Sequence, residues 1–173
     1  MSRRSIFSLT AITATALGFA ILPGVAVAQP KSIKEQIAGT WTFVSALDVY
    51  PDGRRNNRWG SNPKGIFIFD GNGRFAQFIT RSDLPKIAAG TADKGTTEEN
   101  RAILGGLVAS FGTYTVNEAE KMVITHIEGG AFPNLIGVDQ KRVILSLTAD
   151  ELKYTNPATS TGTTAESTWK RVK

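Results

Sequence analysis

The sequence predicts an all-β protein: an eight-stranded antiparallel up-and-down β-barrel with one short helix between its third and fourth strands. Eight segments of strand character lie at 41–50, 65–69, 74–81, 107–116, 122–128, 142–148, 151–156 and 165–172. The connections between them alternate strictly between long and tight. Because alternate connections of an up-and-down sheet lie at opposite ends, we expect a cup with a closed base and an elaborated rim. Such a cup suits ligand binding.

The first elements follow from turn residues and side-chain alternation. Residues 31–38 predict a short helical entry segment that ends at Gly39. The strand 41–50 follows, and strict alternation places residues 41, 43, 45, 47 and 49 on one face. It ends at Pro51-Asp52-Gly53, where proline presets φ and glycine accepts a positive φ. We therefore expect the first long loop to begin at residue 51.

The clearest hairpin signal is the turn Asp70-Gly71-Asn72-Gly73 between two strand-like segments. Farther along, Thr96 and Glu99 have the spacing of a capping box, which predicts a helix over 97–104. Two glycines at 105 and 106 then end it, because each glycine inside a helix costs ~1 kcal/mol relative to alanine.

The remaining strands form two further hairpins, with tight turns at 117–120 and 149–150. The last strand is able to close the sheet against the first. The chain has no internal repeat and no interdomain linker, so residues 29–173 are expected to form a single domain.

The first 28 residues have the pattern of a cleaved signal peptide. Arg3 and Arg4 precede an uncharged apolar stretch at 11–22, and Ala26-Val27-Ala28 supplies a small-x-small cleavage pattern. The apolar stretch is shorter than the ~20 residues that span a bilayer. We expect cleavage after Ala28 and a periplasmic or secreted product with no membrane span. The Arg3-Arg4 pair leaves both the general secretory route and the twin-arginine route open.

Charge and cysteine content limit the partners. The formal net charge is +5 and falls to +3 without the signal. Four of the basic residues lie in the first long loop, which is either a solvated basic loop or an anion-binding site: Arg54, Arg55, Arg58 and Lys64. An exported protein rarely meets nucleic acid, so we expect no nucleic-acid partner. The chain has no cysteine, so stability must come from packing and sheet closure.

Gly39-Thr40-Trp41, at the start of the first strand, resembles the G-x-W signature of lipocalins. Residues 36–172 resemble the bacterial lipocalin-like domain family of small exported or stand-alone barrels, through the stretches 49–54, 62–65, 111–114 and 126–129. The resemblance implies a barrel whose base is plugged by Trp41 and covered by a basic side chain from the last strand, Arg171. The Thr-Asp-Tyr motif, the disulfide and the final helix of animal lipocalins are absent. The resemblance therefore implies ligand binding but not a particular ligand.

A small hydrophobic or amphipathic molecule is the ligand that this cup suits, because aromatic groups and a few polar groups surround its predicted mouth. The candidate ligand-binding residues are Tyr50, Trp59, Gln77, Arg81, His126, Phe132, Asn134, Arg142 and Tyr154. His126 is the single histidine. Either residues 122, 124 and 126 point inward or residues 123, 125 and 127 do, and tight pairing would bring Arg142 near His126.

Catalytic signatures are weak. The sequence has no G-x-S-x-G elbow, no cysteine nucleophile and no converging carboxylate pair, so no catalytic residue is assigned. A structural zinc site lacks its usual cysteine and histidine ligands, and we expect neither metal nor cofactor. Two alternatives to a carrier stay open. One is a cyclase or isomerase that acts on an apolar molecule in the cup, and the other is an inhibitor that binds a protein through its rim loops. The sequence does not indicate the oligomeric state.

Overall fold

The computed structural model of the protein describes residues 30–173. The predicted signal peptide, 1–28, lies outside the described residues. Residues Lys31–Lys173 form one compact unit. Within the described part of the chain, neither helix has both the length and the apolarity needed to cross a membrane.

Nine strands and two α-helices make up this unit. The helices are α1 (Ile33–Ile37) and α2 (Thr97–Gly105). The strands are β1 (Gly39–Val49), β2 (Arg55–Asn56), β3 (Lys64–Phe69), β4 (Arg74–Thr80), β5 (Leu107–Asn117), β6 (Met122–Gly130), β7 (Asp139–Leu147), β8 (Glu151–Asn156) and β9 (Thr164–Arg171). The capping box predicted for α2 is present, with the Thr96 side chain accepting from Glu99 N at 3.2 Å.

The predicted eight-stranded up-and-down barrel is confirmed. The strands pair antiparallel in the order β1-β3-β4-β5-β6-β7-β8-β9, and β1 pairs with β9 to close the ring. The two-residue strand β2 is additional and pairs with the rim end of β1, where Asp48 lies opposite Asn56. The long connections, including the one that carries α2, therefore lie at one end, and the tight turns lie at the other.

A β-bulge in β1 changes which side chains face the interior. The register against β9 shifts between Phe43 and Ser45, so the strict alternation predicted from the sequence is wrong beyond Phe43. Ala46 and Asp48 are buried, whereas Ser45 is exposed. A bulge adds one residue to one strand and thereby reverses the faces of the residues that follow. The rim half of β1 consequently presents a small side chain and a carboxylate to the interior.

The base of the barrel is filled by aromatic side chains. Trp41, Phe67 and Trp169 have no exposed surface, and the rings of Phe67 and Trp169 lie 5.3 Å apart. Helix α1 precedes this end of β1, and its Ile37 carbonyl accepts from Trp41 Nε1 at 2.8 Å. The Glu118 carboxylate, in the β5–β6 turn, accepts from the first backbone N–H groups of α1. The base is thus closed by packing and by a tethered helix.

Candidate functional site

A cavity of about 340 Å³ occupies the rim half of the barrel. Its volume lies at the lower end of the roughly 300–1,000 Å³ range of small-molecule pockets. Strands supply most of the wall, while Arg101 and Leu104 of α2 lie at the mouth. The cavity is therefore a cup bounded by the sheet and partly roofed by the long loops.

The cavity exists because small side chains replace large ones on this part of the wall. Ala46, Ala165 and Ser167 line it, and Ala46 and Ser167 lie opposite each other on β1 and β9. Ser110 lies opposite Gln77 on the other side and also lines the cavity. Protein interiors are close-packed, so a run of short side chains facing one space leaves volume for another molecule.

Arg142 of β7 lies at the boundary between the cavity and the aromatic base. It is 2% exposed and lines the cavity, and its guanidinium carbon is 5.4 Å from the centroid of the Phe67 ring. Its Nη1 donates to Thr125 Oγ1, which is fully buried. Its Nη2 lies 3.2 Å from Gln77 Oε1. Arg142 is therefore a buried cation whose hydrogen-bond partners are neutral.

An ion pair between Arg58 and the buried Asp48 holds the first long loop at the rim. Arg58 Nε lies 3.2 Å from Asp48 Oδ2, although the two atoms are not aligned for a hydrogen bond. The Arg58 guanidinium also lies over the Trp59 ring, 4.5 Å from its centroid. Burial raises the pKa of the Asp48 carboxyl, and the charge of Arg58 opposes that rise. The loop is thus fixed by an aromatic side chain and by a pair of charges.

Five of the nine predicted ligand-binding residues line the cavity together: Trp59, Gln77, Phe132, Arg142 and Tyr154. Tyr50, Arg81 and Asn134 are not in its lining. The Tyr50 ring lies under the Arg54 guanidinium at 4.9 Å, and Arg81 is paired with Asp83 at 2.6 Å. Asn134 lies in an exposed 3₁₀ turn, Pro133–Leu135. These three side chains occupy the outside of the rim.

His126 lies on the outer face of the barrel, so the prediction that Arg142 lies near it is wrong. Val123, Thr125 and Ile127 are the inward residues of β6. The ladder pairs His126 with Asp139, and its Nδ1 lies 2.8 Å from Asp139 Oδ1. Arg142 instead lies opposite Val123 and points inward. The side-chain period of two puts neighbouring residues of a strand on opposite faces, which separates His126 from the cavity.

The three residues proposed for the base, Gly39, Trp41 and Arg171, lie together at the closed end of the barrel. The Arg171 guanidinium lies 4.1 Å from the centroid of the Trp41 ring. It also donates to the carbonyls of Gln36, Ala38 and Ala149, two of which belong to the segment around α1. Gly39 has φ +127°, and a Cβ there would lie 2.8 Å from Arg171 Nη1. Only glycine allows the chain to adopt this conformation beside the guanidinium.

Sequence reasoning missed several cavity residues. The small residues Ala46, Ala165 and Ser167 carry no chemical signal, and their inward placement depends on the β1 bulge and on the register of β9. Arg58 was recognised only as part of a basic loop, whereas it is mostly buried and paired with Asp48. No sequence signal identified that pair, because the β1 bulge is what turns Asp48 inward.

Among residues 30–173, no group of three or more His, Asp and Glu side chains is placed to hold a metal ion. The chemistry that the cavity offers is therefore apolar contact, aromatic contact and the buried Arg142 cation.

A family model described as a lipocalin-like domain matches residues 38–172, which is most of the chain. The chain belongs to this lipocalin-like family. The resemblance inferred from the G-x-W signature and the later stretches is thereby confirmed. No curated protein matches the lipocalin-like chain in sequence.

Solved structures similar to this lipocalin-like protein are distant in sequence. A lipocalin-like protein from Bacteroides uniformis is 14% identical, with 79% of this chain and 99% of that chain covered and a TM-score of 0.44. A de novo designed fluorescence-activating β-barrel is 11% identical, with 83% and 100% covered and a TM-score of 0.43. A redesigned β-barrel bound to DFHBI is 14% identical, with 82% and 100% covered and a TM-score of 0.41.

Proposed function

We propose that this lipocalin-like protein binds or carries a small hydrophobic or amphipathic molecule in the rim half of its barrel. The observation that carries the proposal is the cavity of about 340 Å³ above a solid aromatic base. Barrels of eight strands are often filled entirely by side chains. Here short residues line one half of the interior, and the resulting space opens toward the loops. Apolar groups dominate small-molecule sites, and a few polar groups orient the ligand.

The export of the protein is part of this proposal. The N-terminal pattern of two arginines, an apolar stretch and Ala26-Val27-Ala28 supports it. When the protein is expressed in a bacterium that has both secretion routes, we expect to find it outside the cytoplasm. Its intact mass should correspond to a chain that begins at Gln29. An uncleaved chain that stays in the cytoplasm would contradict export but would leave the ligand site unaffected.

Binding is tested with a neutral fluorescent probe, N-phenyl-1-naphthylamine. We expect saturable fluorescence enhancement at one probe per barrel, together with quenching of Trp59, which lines the cavity at 3% exposure. A Trp59→Phe variant separates this quenching from that of the buried Trp41 and Trp169. Decan-1-ol should displace the probe competitively.

Two matched serine substitutions locate the probe. Ser167 points into the cavity, whereas Ser45 on the neighbouring strand is exposed. Ser167→Phe should weaken probe binding by about tenfold or more, because the larger side chain takes up space that the probe occupies. Loss of apolar contact equal to two buried methylene groups costs about 1.6 kcal/mol of binding free energy. Ser45→Phe should leave binding unchanged. Equal effects of both variants, or no saturable binding to the wild-type protein, would reject the proposed site.

A further inference from the structure

Arg142 is the only buried arginine among residues 30–173, and it has no negative partner. Within residues 30–173, no Asp or Glu side chain lies within ion-pair distance of its guanidinium. Arg58 is paired with Asp48, and Arg171 donates to three backbone carbonyls. Arg142 nevertheless has only 2% of its surface exposed. Burying a charge without a counter-charge costs folding free energy, so the position of Arg142 beside an open cavity requires an explanation.

The neutral groups around Arg142 orient it without neutralising it. Thr125 Oγ1, Gln77 Oε1 and Gln140 Oε1 accept from its Nη atoms, the last at 3.4 Å. Its Nε is buried and has no acceptor among the described residues. The rings of Phe67 and Tyr154 lie within 6 Å of the guanidinium carbon, at 5.4 and 5.7 Å. The guanidinium is therefore held in one orientation by side chains from β4, β6 and β7, and no negative group among the described residues neutralises its charge.

We propose that Arg142 is the anchor for the carboxylate of an amphipathic ligand, which enters the barrel with its head group first and leaves its apolar part toward the rim. This inference rests on the proposed function, because it names the chemical class of the ligand in that same cavity. A planar guanidinium fork matches a carboxylate geometrically. One carboxylate also balances one unpaired positive charge, whereas a phosphate monoester carries about −1.5 to −2 and would leave a buried negative excess.

The orientation follows from the distribution of polar groups. Arg142, Gln77 and Thr125 form a buried polar patch at the inner end of the cavity, next to the aromatic base. Ile79, Leu104 and Leu107 provide apolar contact elsewhere in the lining. A head group left in the mouth would instead meet Arg101, which is exposed and needs no partner. Desolvation at the inner end makes the charge-assisted contact there stronger than at the mouth.

The test compares decanoic acid, methyl decanoate and decan-1-ol as competitors of N-phenyl-1-naphthylamine in the full barrel. With the wild-type protein we expect the acid to bind about 10- to 100-fold more tightly than the alcohol and the ester, as one charge-assisted hydrogen-bonded contact provides. Arg142→Met should remove this preference, because the acid should lose about 10- to 100-fold more affinity than the alcohol, the ester and the probe do. Arg101→Met, which removes the cation at the mouth, should keep the preference.

Arg142→Lys is a second test that does not depend on whether Arg142→Met folds. It retains the charge but loses the planar guanidinium, so the ratio of acid affinity to alcohol affinity should fall to a value between those of the wild-type protein and Arg142→Met. Equal binding of acid and alcohol by the wild-type protein would overturn the carboxylate assignment and leave the proposed carrier function standing. Ester binding as tight as acid binding would also overturn it, because a neutral acceptor would then suffice. An acid preference that survives in Arg142→Met would assign the head group elsewhere. Absence of probe and competitor binding altogether would reject the proposed function itself.

Discussion

The two halves of the barrel interior are enclosed by the same sheet, but one half is filled by side chains and the other contains a cavity. The base half contains Trp41, Phe67 and Trp169, all without exposed surface, and the Trp169 ring lies against those of Phe43 and Phe67. The rim half contains Ala46, Ala165 and Ser167 on the same two closing strands, β1 and β9, together with the buried Arg142 of β7. The base resembles an ordinary protein core, and the rim half is a space with a cation at its inner end. The packed core therefore lies in one half of the barrel, and the proposed ligand site lies in the other.

Truncation in the base should give the largest effect on stability. Phe67→Ala removes a ring that contacts Phe69, Phe75 and Trp169, and it should lower the free energy of unfolding by about 3–5 kcal/mol. Phe78→Ala is the matched control on the outer face of β4, where the side chain is 45% exposed. It should cost less than about 1 kcal/mol. Urea denaturation measures both values. Similar losses in the two variants would remove the distinction between core and wall.

Substitution in the rim half should change the stability by less, and the change should depend on pH. Burial raises the pKa of Asp48, so the folded state binds this proton more tightly than the unfolded state. The resulting stability is present below the ordinary Asp pKa of about 3.9 and is lost as pH rises through the folded value. Asp48→Asn lacks this loss. We therefore expect its stability relative to wild type to increase between about pH 3 and pH 7. The charge of Arg58 is unchanged over that range. Loss of its partner therefore changes the stability of the variant by a constant amount and does not affect the pH dependence.

Asp52→Asn is the control for this pH dependence, because Asp52 lies in the same long loop. The Arg54 side chain lowers the pKa of the exposed Asp52 carboxyl through a hydrogen bond. Removing that carboxyl should give a relative stability that decreases as pH rises, which is the opposite sign. Thermal unfolding at several pH values measures both slopes. Slopes of the same sign in the two variants would contradict the assignment of Asp48 as a buried, penalised carboxylate.

The site was only partly predictable, and the errors have definite physical causes. Gln77, a candidate ligand-binding residue, lines the cavity because β4 alternates regularly and has Phe75, Gln77 and Ile79 on its buried face. His126 was misplaced relative to Arg142 because two inward patterns of β6 were equally apolar. The register against β7, which pairs His126 with Asp139, decides between them. The bulge of β1 had no recognisable sequence signal, and it determines that Ala46 and Asp48 point inward.

The sequence by itself determined the eight strands that close the barrel, the alternation of long and tight connections, the turn at 70–73 and the capping box of α2, but not the short strand β2. These features depend on local chemistry: side-chain period, glycine at positive φ and reciprocal hydrogen bonds at a helix end. Only the tertiary structure decided which faces point inward beyond the bulge, which half of the barrel is hollow and which arginine is buried without a counter-charge. Those properties depend on register and packing between residues that are far apart in the chain, and a one-residue shift exchanges the two faces of a strand.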